Sequence, residues 1–325
     1  MREANEISDL VRVSTGSRLH FGLYDVKAPF GGVGLMVDHP RTCVSVCAAE
    51  RFEVHPCPVP RISEVAQRLA LRLPSAMKTG DLPNCRVVVE SAAESHCGLG
   101  SGTQMSVSAA VAMSHFFSLE LSRYELVNEI ASRGRRSSIG SIGFFEGGLI
   151  AENGQAHRFE SGESWRRVSL PSSWCLVLAY PDRNLVGISG EAEGEAFATL
   201  EAAAPEYRRR LVQLGDEILR LGSEGDFAAF SSTVATFNEL SGDLFASHQG
   251  GCYNGVAVAS LVHQIRSLGV RGVGQSSWGP MVFAFCENQQ DAERLVNQLP
   301  GVSSRIVKPQ NEGYSLVRSP STSCK

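Results

Sequence analysis

The stretch SHCGLGSGTQMSVSAAVAM, Ser95 to Met113, sets Gly98, Gly100 and Gly102 at alternate positions directly ahead of small, helix-favouring residues. Glycine lets a backbone approach a ligand closely, and a helix N-terminus turns unpaired N–H groups toward an anion. Upstream, CRVVVES (Cys85 to Ser91) reads as a strand. Downstream, Gln104 to Phe117 reads as a helix with Thr103 as N-cap and Met105, Ala109, Ala112, Met113 and Phe116 suited to burial. Strand, glycine loop and helix together predict an anion site. The commonest versions do not fit: G-x-x-x-x-G-K-[ST] is absent, and the glycine spacing misses G-x-G-x-x-G.

The chain has 325 residues, enough for two domains or one large one, and 43% are hydrophobic, as a sizeable core requires. A formal charge of −4 gives no electrostatic basis for binding bulk nucleic acid or an anionic membrane. Arginine carries nearly all the positive charge, because lysine occurs only at Lys27, Lys78, Lys308 and Lys325. Guanidinium groups suit phosphates and carboxylates. The nine cysteines are scattered without a C-x-x-C pair, and strand alternation puts Cys43 and Cys47 on one face, which reads as core packing. The opening MREANEISDLVR is too charged for a secretory signal, and no apolar run approaches membrane-spanning length. The expectation is a soluble, cytoplasmic protein.

Ser122 and Glu125 have the spacing of a capping box, followed by Leu126 and Ile130, with Gly134 as the stop. The second half reads as a strand at Cys175 to Tyr180, then three helices. The first, from Pro205, carries Tyr207, Leu211, Leu214, Ile218 and Leu221 on one stripe, with Gly222 after it. The second follows Asp226, and the third runs from about Gly255 to Leu268 between Asn254 and Gly269. Strands VRGVGQ and MVFAFC, helix DAERLVNQL and strand VSSRIV close the chain. With the helices taken as one insertion the order is β-α-β-β-α-β, a ferredoxin-like arrangement. The polar stretch from Gly154 to Ser172 is the seam, giving domains of residues 1–165 and 166–325.

Three further loops share the texture of the first. TGSRLHFGLYD puts Arg18 and His20 on one side of an extended segment. ASRGRRSSIGSIGFFEGGL gathers Arg133, Arg135 and Arg136 at a helix end before Ser137 and a glycine-containing run. GVGQSSWGP joins two predicted strands through Gln275, Ser276, Ser277 and Trp278, more chemistry than a hairpin needs.

CGLGSGTQ resembles the phosphate loop PxxxGLGSS of the GHMP small-molecule kinases, TGSRLHFG their first motif, and GVGQSSWGPMVFA their C-terminal glycine-rich motif. The resemblance implies an α+β fold with an S5-like N-terminal domain and a ferredoxin-like C-terminal one. The departures fall on the kinase chemistry. The second serine of GLGSS is Gly102, the position of the catalytic Asp is Gly140, and the first-motif Lys falls on Ser17. A kinase needs a group to receive the hydroxyl proton and cationic help at the phosphoryl.

SRLHFGL, GLGSGTQ, RGRRSSIGSIGFFEGG, GISGEAEGEAF and GQSSWGP together resemble the β-ribofuranosylaminobenzene 5′-phosphate synthase family of tetrahydromethanopterin biosynthesis. That resemblance implies a phosphoribosyltransferase. Phosphoribosyl pyrophosphate condenses with 4-aminobenzoate, or 4-hydroxybenzoate in some relatives, with loss of pyrophosphate and carbon dioxide. It implies that Gly98, Leu99, Gly100, Ser101, Gly102, Thr103 and Gln104 hold the pyrophosphate. Arg133, Arg135, Arg136 and Ser137 would bind a phosphate or the carboxylate, and Gln275, Ser276, Ser277 and Trp278 would close the site, Trp278 against the arene. Arg18 and His20 would face the ribosyl centre, His20 as a proton carrier of near-neutral pKa. Asp25 has a catalytic place and, with Glu94, is a candidate ligand of Mg²⁺. The alternative is an ATP-dependent small-molecule kinase on the same fold. The exposed faces of such a fold could support a homodimer.

Overall fold

The computed structural model describes residues 9–56, 59–134, 136–155, 164–182, 185 and 190–320, so Arg135 and the first part of GISGEAEGEAF lie outside the described residues. The first half holds β1 (Asp9–Leu23), β2 (Gly32–Ala48), β3 (Glu53–His55), α1 (Pro60–Ala70), β4 (Lys78–Thr79), β5 (Leu82–Pro83), β6 (Cys85–Ser91), α2 (Ser101–Phe116), α3 (Ile139–Glu146), β7 (Leu149–Glu152) and β8 (Trp165–Val168). The second holds β9 (Cys175–Tyr180), α4 (Gly190–Thr199), α5 (Pro205–Glu224), α6 (Phe227–Asp243), α7 (Ala246–Gln249), α8 (Gly255–Ser267), β10 (Val273–Gln275), β11 (Val282–Cys286), α9 (Gln289–Asn297), β12 (Ser303–Val307) and β13 (Ser315–Pro320).

The larger sheet has seven strands, ordered β13-β1-β2-β6-β3, with β7 pairing β2 and β8 pairing β7. The four-stranded sheet is ordered β10-β11-β9-β12, antiparallel throughout, which is the ferredoxin-like order expected from the sequence. One expectation is corrected. The chain does not divide at 165/166: β13 returns to pair with β1, so the C-terminus belongs to the first sheet.

Strand alternation explains how the layers stack. In β9 and β11, Leu176, Leu178, Phe283 and Phe285 face a core shared with Leu19, Phe21, Leu35 and Val37 of the larger sheet and with α5 and α6. The alternate residues Cys175, Val177, Ala179, Val282, Ala284 and Cys286 face α8 and α9. The two sheets are therefore joined by continuous apolar packing. On the far side of the larger sheet, α1 and α2 cover Val11, Val13, Val44 and Val46. Cys43 is a buried free thiol, in keeping with core packing, whereas Cys47 is buried but disulfide-bonded, which that reading did not foresee.

Helix starts follow the capping signals with one revision. Asp226 accepts a hydrogen bond from the Ala229 N–H at 3.1 Å and begins α6. Ser122 and Glu125 form the expected box, Ser122 N–H donating to the Glu125 carboxylate at 2.9 Å and Glu125 N–H to the Ser122 hydroxyl at 3.2 Å. The helix it opens is a wide turn over Glu125–Ile130. α2 starts at Ser101, and its N-cap is Gly100 rather than Thr103. Gly100 has φ +69°, a left-handed conformation that a side chain rarely adopts, so the turn into the helix completes earlier than the polar cap suggests.

Two glycines govern how the second sheet's loop meets the first. A Cβ on Gly98 would lie 2.3 Å from the Ser276 carbonyl oxygen, and one on Gly279 would lie 2.2 Å from the Gly98 nitrogen. Both obstacles are backbone and cannot swing aside. Gly279→Ala is expected to lower unfolding free energy by about 1–3 kcal/mol, read from urea midpoints. An unchanged midpoint would show that the contact is not tight in solution.

Candidate active site

A cavity of about 590 Å³ opens between the larger sheet, the α4–α7 insertion and the loop after β10. Strand β1 delivers Arg18 and His20 to it, both on one side of the strand as alternation requires. The β1–β2 register shifts between Thr15 and Ser17 and again between His20 and Gly22. Such bulges re-aim side chains. The freed backbone is secured from α6: Asn238 Nδ2 donates to the Phe21 carbonyl at 2.6 Å and to the Gln275 carbonyl at 2.8 Å, and the Ser241 hydroxyl donates to the Leu23 carbonyl at 2.9 Å.

Ser276, fully buried, is the hinge pin of the site. Its hydroxyl accepts from His20 N–H at 3.1 Å and donates to the Gly98 carbonyl at 2.7 Å. Ser277 N–H donates to the His20 carbonyl at 3.1 Å, and Ser277 itself sits at φ +57° on the cavity wall. One short turn thus fixes β1 and the glycine loop together. Arg18 N–H completes the join by donating to the Leu99 carbonyl at 3.0 Å.

The glycine loop contributes mostly backbone. Thr103 lines the cavity, whereas Ser101 and Gln104 are buried. Gln104 is structural, its amide donating to the Gly140 carbonyl at 2.9 Å. Gly100 keeps the loop against Arg18, because a Cβ there would stand 3.1 Å from Arg18 Nε. The first turn of α2 begins at Ser101 without a side-chain cap; Thr103 N–H donates to the Gly100 carbonyl at 3.0 Å, which leaves the N–H groups of Ser101 and Gly102 for an anion. Arg61 of α1 crosses directly above Gly102, where a Cβ would fall 1.6 Å from Nη1. That arginine went unnoticed in the sequence because nothing in PRISEVAQRLA sets it apart from a surface helix.

Charge is concentrated around the cavity. Arg18, Arg68, Arg133 and Arg136 line it, and Glu64 is the one carboxylate side chain among its described lining residues. Arg133 bonds the Ser106 hydroxyl on α2 at 3.1 Å, and Arg68 Nε donates to the Ile130 carbonyl at 2.6 Å. Arg136 lies over the Phe197 ring at 4.4 Å from its centroid. Phe197 stacks on Trp278 at 5.4 Å with planes 8° apart, and Phe245 meets Trp278 edge-on at 4.9 Å. Trp278 therefore reaches the cavity as expected, but Phe197 already stacks on its ring. It supports the wall that carries Arg136 instead of offering an open platform.

Two expected roles are corrected. His20 is not a near-neutral proton carrier: burial, and then the charge of Arg18, hold its pKa well below the usual value, so the ring is neutral at pH 7. Its Nε2 pairs with the Ser137 hydroxyl at 3.2 Å. Asp25 does not line the cavity. Its carboxylate accepts from Lys27 N–H and Ala203 N–H, each at 3.1 Å, and faces Arg208 Nε at 3.8 Å, a loop-binding role. Glu94 is exposed outside the lining. Among the described residues no cluster of three or more His, Cys, Asp or Glu side chains could hold a metal ion.

The positions that carry kinase chemistry are occupied differently. Ser17 is buried, its hydroxyl turned to the Pro40 carbonyl at 2.7 Å. Gly140 lies beside the cavity, its imagined Cβ 3.5 Å from Thr103 Cγ2 and 3.6 Å from Arg18 Nε. The position that the motif resemblance gives to a catalytic carboxylate is thus a bare backbone next to a guanidinium. One further acid sits close by. Glu152, at the end of β7, is 2% exposed and accepts from Gly154 N–H at 2.7 Å, Ser138 N–H at 3.3 Å and the Ser137 side chain. Its only mark in the sequence is an acid closing the apolar strand LIAE.

Residues 62–145 match the GHMP kinases N terminal domain and residues 255–303 the GHMP kinases C terminal domain. Each half of the chain therefore carries a match to a GHMP kinase domain. The chain is also similar to enzymes named beta-ribofuranosylphenol 5′-phosphate synthase. It is 27% identical to that of Methanothermobacter thermautotrophicus over 94% of this chain and 98% of the relative. It is 28% identical to that of Archaeoglobus fulgidus over 94% of this chain and 99% of the relative. Among solved structures, the phosphomevalonate kinase of Streptococcus pneumoniae superposes with a TM-score of 0.65 at 14% identity, covering 93% of this chain and 99% of the other, a likeness of fold. No helix among the described residues is long and apolar enough to cross a membrane.

A buried neutral His20 ties stability to pH. Its folded pKa lies below an unfolded value of about 6.5, so its contribution is full above that value and is lost as pH falls toward the folded pKa. His20→Asn is expected to lose less stability than the parent between about pH 7 and 5, measured by urea unfolding. Parallel losses would place His20 in water.

Proposed function

We propose that the chain is a phosphoribosyltransferase that condenses phosphoribosyl pyrophosphate with a para-substituted benzoate, as a step toward tetrahydromethanopterin. The observation that carries this reading is Gly140, set beside Arg18 where the kinases of this fold keep their acid, in a chain whose near-full-length relatives share one synthase name. The phenol in that name favours 4-hydroxybenzoate over 4-aminobenzoate as acceptor.

The chemistry asks little of the protein as a base. The bond from the ribosyl anomeric carbon to the diphosphate oxygen breaks, and its electron pair leaves with pyrophosphate. The ring carbon bearing the carboxylate bonds to the anomeric carbon on the opposite face, giving the β configuration. The bond to the carboxylate then breaks, carbon dioxide departs and its electron pair restores the aromatic ring. Net proton transfer is not required. What is required is neutralisation of two phosphate-bearing ends, exclusion of water and orientation of the ring.

The residues fit those needs. The α2 N-terminus, with Arg61 above Gly102, suits the diphosphate, and Arg68, Arg133 and Arg136 suit the 5′-phosphate and the carboxylate. Arg18 and His20 project where the anomeric centre would lie between these ends. The described residues do not build a cage for Mg²⁺, since Asp25 is committed elsewhere and Glu94 is outside the cavity. In this reading the metal arrives on the donor's own phosphates, and no step is assigned to it.

Incubation with Mg²⁺, phosphoribosyl pyrophosphate and carboxyl-labelled 4-hydroxybenzoate is expected to release labelled carbon dioxide. Arg136→Ala and Arg18→Ala are expected to lower kcat/KM by about 100-fold or more. No release with either benzoate, from folded protein that phosphorylates an alcohol with ATP, would overturn the reading in favour of a kinase.

A further inference from the structure

We propose that Glu152, acting through the Ser137 hydroxyl, selects the tautomer of His20 and so sets whether His20 Nδ1 meets the substrate as a hydrogen-bond acceptor or as a donor. The three side chains form one path. Ser137 pairs with His20 Nε2 at 3.2 Å and accepts from Ile139 N–H at 3.4 Å, and its hydroxyl stands beside the Glu152 carboxylate and favours its ionised form. His20 and Ser137 line the cavity, while Glu152 does not. Nδ1 has no partner among the described residues and is not one of the fully enclosed polar atoms, so it is the ring nitrogen open to the cavity.

A hydroxyl has one proton to give. When Glu152 is ionised, all its bonds are accepted ones, so the Ser137 proton points to it. Ser137 Oγ must then accept from His20 Nε2–H, which leaves Nδ1 bare and able to receive an O–H or N–H of the substrate. When Glu152 is protonated, it can donate to Ser137 Oγ. The Ser137 proton then turns to Nε2, the ring proton moves to Nδ1, and the acceptor is gone. His20 stays neutral in both states because burial and Arg18 oppose its protonation.

The energetic setting makes both states reachable. Burial raises the Glu152 pKa to about 7, while the N–H groups of Gly154 and Ser138 and the Ser137 hydroxyl pull against it. Across the packed elements, the titratable neighbour of Glu152 is Tyr24, the residue after β1, kept protonated by its own burial and by nearby carboxylates. The backbone of β2 and of β8 meets Glu152 at Gly32 and Trp165, neither of which titrates. Arg18 faces His20, not Glu152. Glu152 is thus a positioning residue for a neutral histidine, and its link to turnover rests on the transferase reading above.

Ring ¹⁵N NMR of histidine-labelled protein tests the relay without any substrate. Between about pH 6 and 8 the two His20 nitrogens are expected to exchange pyrrole-like and pyridine-like character with a midpoint near 7, without the ring becoming cationic. Ser137→Ala, which leaves Glu152 in place, and Glu152→Gln are each expected to abolish that exchange. In turnover, kcat/KM of the parent is expected to be about tenfold lower one pH unit below the midpoint, and Ser137→Ala to lose that dependence. A His20 tautomer that is constant with pH, or a midpoint unchanged in Ser137→Ala, would overturn the proposal. Failure of catalysis alone, with the NMR exchange intact, would count against the transferase reading and leave the relay standing.

Discussion

The Ser276 hydroxyl is the contact on which the site depends. It sits on a loop of the second sheet, takes the His20 N–H from β1 and gives its own proton to Gly98 of the phosphate loop. Three segments far apart in sequence are thereby held within one hydrogen-bonded turn, and Gly98 and Gly279 leave out the side chains that would keep them apart. The cavity exists because this join is made at its base while α4 and α6 close it from the side. Local backbone chemistry, more than any single charged group, gives Arg18 and His20 their direction.

The site is cationic and poor in usable bases. Four arginines line the cavity, burial and Arg18 favour the neutral form of His20, and Gly140 stands where the motif resemblance puts a kinase carboxylate. Such a pocket can draw charge apart and stabilise a departing anion, but it is poorly equipped to remove a proton from an alcohol. A reaction whose leaving groups are pyrophosphate and carbon dioxide matches that balance. On the proposed reading, a GHMP-kinase-like fold is retained while the chemistry it supports has moved.

Much of this was legible in the sequence because periodicity and glycine carry direct physical meaning. β6, β9 and the ferredoxin-like order followed from apolar runs, and α6 from its Asp226 cap. The return of β13 to the first sheet was not legible, since SLVRSP carries no sign of its partner. Arg18, His20, Arg133, Arg136, Ser137 and the Gln275–Trp278 loop do converge on one cavity. What sequence could not supply was side-chain context. The carboxylate of Asp25 is spent on a loop, the ring of Trp278 on Phe197, and the role of Glu152 arises only from the fold that seals it beside Ser137.

The most direct test of the account is a competition followed by phosphorus NMR, with phosphoribosyl pyrophosphate, 4-hydroxybenzoate, ATP and Mg²⁺ present together. The account predicts that free pyrophosphate and a new phosphomonoester grow in as the donor signals fade, while the ATP resonances stay unchanged. Growth of ADP signals with the donor intact would contradict it, because the cavity would then be transferring a phosphoryl group.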